Sequence, residues 1–280
     1  MMQINIKDYF EQQKEKLREK SKHTGIIPQL AIIDATNGDV GNRIYMKRKV
    51  EDFESMGWQA KIFQAKDTQE LNDLIDWCNM SNKHPGLPLV CSSVMVQLPV
   101  RDTIDFDPNR ISPKLDCDGL CAEAKVNPAT VCGVLHYLQD CGFDYQGKNV
   151  VVLGRSKIVG KPMADQLLAR NSTVTICHSY TTPFDFYAII EGADLIVSAV
   201  GKPNLFSRND ISDECIVIDV GINRDENGKL CGDFVEDDTY RHTGWSTPVP
   251  GGVGLLTRLG VMENCYELAW HLPKCIPFRD

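Results

Sequence analysis

The chain has 280 residues, enough for one large domain or two small ones with real cores. Hydrophobic residues make up 42% and charged residues 24%, values that suit a globular protein and exclude a disordered one. The net charge of −8 speaks against a general nucleic-acid binder, which carries a basic face.

The N-terminal stretch MMQINIKDYFEQQKEKLREK is charged and helical in pattern, and it lacks the apolar core of a secretory signal. The helix is expected to end before SKHTG. LAIIDA, Leu30 to Ala35, is a short apolar run expected to be a buried strand. After the turn-rich TNGDVGN, the segment RIYMKRKVEDFESMG reads as a helix closing on Gly57. WQAKIFQA is a second strand, TQELNDLIDWCNMSN a helix, and SSVMVQLPV a third strand. PATVCGVLHYLQDCG is a further helix, and a new series opens after Gly147. It runs NVVVLG, a helix from Gly160, TVTICHS, ADLIVSAVG and CIVIDVGIN, giving four strands at α/β spacing. A Gly/Pro loop, GWSTPVPGGVG, leads into a last helix. The apolar runs are too short to span a bilayer. The eleven cysteines include no C-x-x-C pair, so free and mostly buried thiols are expected in a soluble, cytoplasmic protein. The fold expected is α/β with parallel sheets, in two lobes divided near residue 145.

Several segments carry chemistry. Asn149 to Leu153 is an apolar strand that ends at Gly154, and Gly160 falls where the next helix begins. A helix N-terminus approached by glycine backbone suits a pyrophosphate, although G-R-S-x-x-x-G is looser than the dinucleotide fingerprint. An ordinary strand–turn–helix corner reads the same way. An NAD site usually places an acidic residue about 20 positions on, where it binds the ribose. Here the second strand ends in His178 and Ser179 with no carboxylate, and Arg155 beside Gly154 could face a 2′-phosphate, which favours NADP over NAD.

Tyr45 and Lys49, four apart, share a helix face. Neighbouring Lys47 and Arg48 disfavour the charge on Lys49, which suits a base near neutral pH; a solvated basic face is the plainer alternative. Gln97 ends a strand before Pro99, at the edge where α/β ligand sites lie. Asp116 and Asp118 precede a glycine. They could form a turn or a metal pair, or one carboxylate could accept hydrogen bonds from a ring N–H and an amino group. No further ligands arrive at metal spacing, so no metal is expected. The rigid, then open, loop TPVPGGVG suits a surface lying flat against a planar ligand.

Taken in order, Y45-x-x-x-K49, V96-Q-L-P99, D116-C-D-G-L120, G154-R-S-K-I-V-G-K-P162, T175-I-C-H-S179, D219-V-G-I-N223 and T247-P-V-P-G-G-V-G254 cover nearly the whole chain. The set resembles the bifunctional methylenetetrahydrofolate dehydrogenase/cyclohydrolases. The resemblance implies a folate-binding catalytic lobe over 1–142, completed by a C-terminal helix over 254–280. It also implies a Rossmann-like NAD(P)-binding lobe over 143–253, with the folate in a cleft between the lobes and a homodimer as the assembly. Lys49 matches the catalytic lysine, Gln97 the residue that positions it, and Tyr45 the aromatic packing on the folate. Asp118 would grip the pterin. Gly251, Gly252, Gly254 and Leu255 would lie beside nicotinamide and folate. Ser156, Ile158 and Gly160 would line the cofactor turn, Arg155 and Ser179 would meet the NADP 2′-phosphate, and Gly154, His178, Gly201, Gly221 and Ile222 would also bind the cofactor. The implied function is NADP-dependent oxidation of methylenetetrahydrofolate and hydrolysis of the methenyl product to formyltetrahydrofolate, in one-carbon metabolism and purine biosynthesis. The implied partners are small molecules, with no nucleic acid and no membrane.

Three segments depart from the family pattern. The loop between Asp118 and Pro128 is shorter, Leu255-Leu256-Thr257 replaces Pro-Met-Thr, and Tyr180 replaces the lysine of H-S-K-T. They leave room for a dehydrogenase-only enzyme, NAD-linked or acting on a related reduced pterin, and for a folate- or nucleotide-binding protein without turnover.

Overall fold

The computed structural model describes residues 2–81, 91–236 and 243–272. Position 82, the last of the helix expected over 68–82, and residues 273–280 lie outside them.

The chain divides into two compact units, Met1–Phe10 with Thr130–Thr257, and Glu11–Ala129 with Arg258–Asp280. In the second unit, the part of helix α1 (Ile6–Thr24) beyond Phe10 leads to strand β1 (Gln29–Asp34), helix α2 (Val40–Ser55), β2 (Gln59–Gln64), α3 (Thr68–Ser81) and β3 (Ser93–Gln97). The strands pair in parallel in the order β2-β1-β3, with Asp34 beside Gln97 at the carboxyl ends. Every residue of β1 and β3 is buried, as their apolar runs dictate. The core beneath them gathers Ile33, Leu71, Ile75, Val94, Val96 and Leu115.

Helix boundaries differ from the sequence reading for local reasons. α1 runs on through Thr24 and ends where Gly25, at φ +68°, turns the chain. Ser21 is drawn inward instead, its hydroxyl accepting from Trp58 Nε1 at 2.8 Å. α2 begins at Val40 because the Asp39 carboxylate caps it, accepting from Asn42 N at 2.9 Å. Its end follows the expectation: Trp58 N returns to Phe53 O and Gly57 takes φ +76°.

In the first unit, α4 (Ala129–Asp140) precedes β4 (Asn149–Leu153), α5 (Gly160–Leu168), β5 (Thr173–Cys177), α6 (Pro183–Glu191) and β6 (Leu195–Ser198). β7 (Phe206–Ser207), β8 (Ile216–Asp219), β9 (Asn223–Arg224), β10 (Leu230–Cys231) and β11 (Phe234–Val235) follow. The main sheet is parallel in the order β5-β4-β6-β8, so the order reverses at β4 and opens a crevice beyond the strand ends. α6 and the two-residue strands were not expected from the sequence.

The division places α4 with this sheet, whereas the sequence suggested a boundary after 142. The reason is packing: Tyr137 stands edge-on to Tyr9 at 5.1 Å and to Trp245 at 5.9 Å, and its hydroxyl donates to Ile4 O. The last helix, α7 (Val253–Trp270), closes with a turn at Leu272, and the rest of the extent expected over 254–280 lies outside the described residues.

Candidate active site and nucleotide pocket

In the second unit, α2 and the end of β3 bring Tyr45, Lys49 and Gln97 together. Lys49 is 3% exposed, and its Nζ donates to Gln97 Oε1 at 2.9 Å and to Met95 Sδ at 3.6 Å. The ammonium lies 4.5 Å from the centre of the Tyr45 ring. Burial holds Lys49 below the ordinary lysine value, partly opposed by the Asp118 carboxylate. Lys47 and Arg48 are not the cause expected from the sequence. Both point to solvent, Lys47 toward Glu51 at 3.6 Å, and the cation that does act on Lys49 is Arg258. Arg258 is itself bound to the buried Asp52, one turn beyond Lys49, at 2.6 Å, and Lys14 meets the same carboxylate at 3.3 Å.

Asp118 is half-buried beside this group, and burial raises its carboxyl to about 6, with Lys49 pulling it down. Asp116 has a different task. It is fully buried and accepts four backbone N–H groups, from Asp118, Gly119, Leu120 and Cys121, at 2.7–3.2 Å. Asp116 therefore shapes the short loop rather than pairing with Asp118 around a metal. Asn264 of α7 fastens the same loop, donating to Cys117 O and Asn127 O at 2.9 Å each. Neither role carried a sequence signal, because both rest on backbone partners that have no residue code. The Cys117 thiol donates to Val94 O at 3.3 Å, and burial pushes it well up and Cys121 to about 11, which makes both poor nucleophiles.

In the first unit, a cavity of about 690 Å³ opens at the carboxyl ends of the parallel strands. Gly154 and Arg155 line it after β4, Cys177, His178 and Ser179 after β5, and Ala199, Val200 and Lys202 after β6. Gly154 takes φ +104°, and a Cβ there would meet Ala199 O at 2.6 Å; one at Gly160 would meet Gly154 O at 2.3 Å. These glycines let two strand ends and a helix N-terminus converge, a cradle that a phosphate can approach. Ser156 Oγ accepts from Val159 N and Gly160 N at 3.2 Å, tying down the start of α5. Among the described residues no carboxylate lines the cavity, while Arg155 and Lys202 do, so the site fits an anionic nucleotide.

The other residues singled out in the sequence stand apart from that lining. Ile158 is 42% and Ile222 68% exposed. Gly201 takes φ +72° in a turn organised by Asp233, which the sequence did not single out. Asp233 is fully buried and accepts from Ser198 Oγ, Val200 N, Gly201 N, Lys202 N and Asn223 Nδ2. Gly221 packs on the same carboxylate, with room for no side chain. Gly251 and Gly252 form the turn before α7, with a Cβ at Gly252 only 2.3 Å from Pro248 O. Gly254 and Leu255 occupy the first turn of α7, both half-exposed.

Residues 128–272 match the model of the tetrahydrofolate dehydrogenase/cyclohydrolase NAD(P)-binding domain. A bifunctional FolD protein of Variovorax paradoxus is 40% identical over 264 residues, covering 90% of this chain and 91% of its own. A bifunctional FolD methylenetetrahydrofolate dehydrogenase/cyclohydrolase of Campylobacter jejuni is 32% identical with a TM-score of 0.84, covering 96% of this chain and 99% of its own. A Trypanosoma brucei methylenetetrahydrofolate dehydrogenase-cyclohydrolase, solved with NADP and an inhibitor, is 28% identical with a TM-score of 0.83, over 96% of this chain and 97% of that one.

Proposed function

The chain belongs to the bifunctional tetrahydrofolate dehydrogenase/cyclohydrolase family, and from that premise we propose how its own residues divide the two reactions. The protein oxidises methylenetetrahydrofolate with NADP and hydrolyses the resulting methenyltetrahydrofolate to formyltetrahydrofolate. We assign the folate chemistry to the unit holding Lys49 and the dinucleotide to the unit holding Gly154.

The observation that carries this reading is the Lys49–Gln97 pair at 2.9 Å. In the first reaction the nicotinamide accepts a hydride from the one-carbon bridge, leaving a methenyl cation that needs no acid to form. In the second, water adds to that carbon, one proton leaves it, and a proton reaches the ring nitrogen as its bond to the carbon breaks. An amine whose charge is disfavoured by burial suits that transfer, because it gives up its proton more readily than an exposed lysine. Gln97 Oε1 fixes where Nζ points. Tyr45 offers a ring face for the folate, and Asp118 offers a carboxylate to the N–H and amino group of the pterin. Gly251, Gly252, Gly254 and Leu255 would border the ligands. Arg155 and Ser179 would meet the 2′-phosphate, with Gly154, Ser156 and Gly160 around the pyrophosphate. His178, Ile158, Gly201, Gly221 and Ile222 complete the cofactor surroundings in this assignment.

The same reading makes the protein a cytoplasmic homodimer supplying formyl groups to purine biosynthesis. Among the described residues no helix is long and apolar enough to cross a membrane. The test uses purified protein, methylenetetrahydrofolate, and NADP or NAD in parallel, with reduced nicotinamide and the methenyl absorbance followed separately. Reduced nicotinamide, faster with NADP and without lasting methenyl, is the expected result. Accumulating methenyl leaves a dehydrogenase alone, faster turnover with NAD removes the role given to Arg155, and no turnover points to another reduced pterin or to a binding protein.

A further inference from the structure

Arg155 and Tyr180 stand out among the groups around the nucleotide cavity. Arg155 is an exposed, long side chain, and among the described residues its guanidinium has no carboxylate partner. Its carbon instead lies 5.6 Å from the centre of the Tyr180 ring. Tyr180 is 81% exposed, so its ring contributes little to the core. Its backbone is nevertheless firmly placed: Tyr180 N donates to His178 Nδ1 at 3.2 Å, Thr181 N to His178 O at 2.8 Å, and His178 N to Thr181 Oγ1 at 3.0 Å. The His178 ring meets the Tyr180 ring edge-on at 6.1 Å. A tight turn thus presents an aromatic face to solvent where a guanidinium lies over it, beside a cavity whose lining, among the described residues, holds cations and no carboxylate.

We propose that Tyr180 is a specificity-determining positioning residue, whose ring holds the Arg155 guanidinium ready for the 2′-phosphate of the dinucleotide. This rests on the reading of the cavity as an NADP site. A free arginine loses rotamer freedom when it grips a phosphate, and an aromatic shelf removes part of that cost beforehand. A guanidinium stacked on a ring also keeps its N–H edge open for two parallel bonds to phosphate oxygens. Tyr180 therefore acts on the 2′-phosphate alone and leaves recognition of the rest of the nucleotide unchanged.

Calorimetry on the full chain separates the possibilities, with adenosine 2′,5′-bisphosphate and adenosine 5′-phosphate as ligands that differ only in the 2′-phosphate. The wild type binds the bisphosphate more tightly. Tyr180→Phe, which keeps the ring, matches the wild type for both ligands. Tyr180→Ala weakens the bisphosphate by about twofold to fivefold, the scale of an exposed cation–ring contact, and leaves the monophosphate unchanged, which also shows that the variant is folded. Equal loss for both ligands would assign the ring to the adenine and overturn the proposal, as would a Tyr180→Ala chain that binds both like the wild type. If the wild type does not distinguish the two ligands, the 2′-phosphate reading fails and takes the proposal with it.

Discussion

Lys49 and Gln97 are 48 positions apart, and no spacing rule connects them; only the fold brings Nζ to 2.9 Å from Oε1. The sequence offered Tyr45 and Lys49 as one helix face, which the ring–ammonium contact at 4.5 Å matches. It misjudged why the lysine charge is disfavoured, since burial cannot be read from the flanking Lys47 and Arg48. Two substitutions test the lysine directly. Lys49→Met fills the same space without an amine and is expected to slow methenyl hydrolysis at least about a hundredfold, the range of a lost acid–base group. Oxidation persists, so methenyl absorbance builds up; a variant that still hydrolyses it at the wild-type rate removes Lys49 from the chemistry. Gln97→Glu replaces the oxygen beside Nζ with a carboxylate oxygen. The negative charge favours the ammonium and raises the lysine pKa, so less neutral amine is present at a given pH. The rising limb of the hydrolysis pH profile is expected to move upward by about one unit or more, and an unmoved limb would show that the neutral amine does not govern the step.

At the scale of elements, strands were the most legible part of the chain. LAIIDA, SSVMVQLPV, NVVVLG and CIVIDVGIN show as apolar runs because both faces of a parallel strand are covered; LAIIDA and NVVVLG match their strands within a residue, whereas SSVMVQLPV stops at Gln97 rather than Val100 and CIVIDVGIN at Asp219 rather than Asn223. α6 escaped because PFDFYAIIE has no polar stripe, with Phe184 84% and Tyr187 47% exposed, so the helical period does not show. The loop after β3 looked merely short in sequence; its order comes from Asp116 and Asn264 gripping backbone. The contact of α4 with the first turn of α7 was equally hidden. A Cβ on Gly133 would lie 2.0 Å from Leu256 O and 2.6 Å from Leu256 C, both backbone atoms of a helix that cannot swing aside. Gly133→Ala is therefore expected to destabilise the fold by about 3 kcal/mol despite the better helix propensity of alanine, worth about 1 kcal/mol the other way. Denaturant unfolding measures this, and a variant as stable as the wild type would mean that the two helices have slack between them.

At the scale of the whole molecule, two parallel sheets and their division into two units follow from the alternation of strands and helices, while the polar hubs that lock the second sheet's loops do not. Asp219 and Asp233 are such hubs, buried acids in a protein of net charge −8. Asp219 accepts from Gly221 N and Phe234 N at 2.9 Å, yet burial outweighs these bonds and raises its carboxyl from 3.8 to about 6, with the Asp233 charge adding to the rise. A raised value means that the folded chain holds the proton more tightly than the unfolded one. The stability linked to that proton is full below about pH 4 and is lost as pH climbs through about 6. Most other carboxylates act in both chains alike, so the contrast with Asp219→Asn isolates this one group. The substitution imposes a fixed offset, because an amide cannot accept both backbone N–H groups, but it does not titrate. Urea unfolding of both chains from pH 4 to pH 7 is expected to show the wild type losing about 2 kcal/mol relative to the variant, with most of the change between about pH 4 and pH 6. Parallel stability curves would mean that the two backbone bonds, rather than burial, set the state of Asp219.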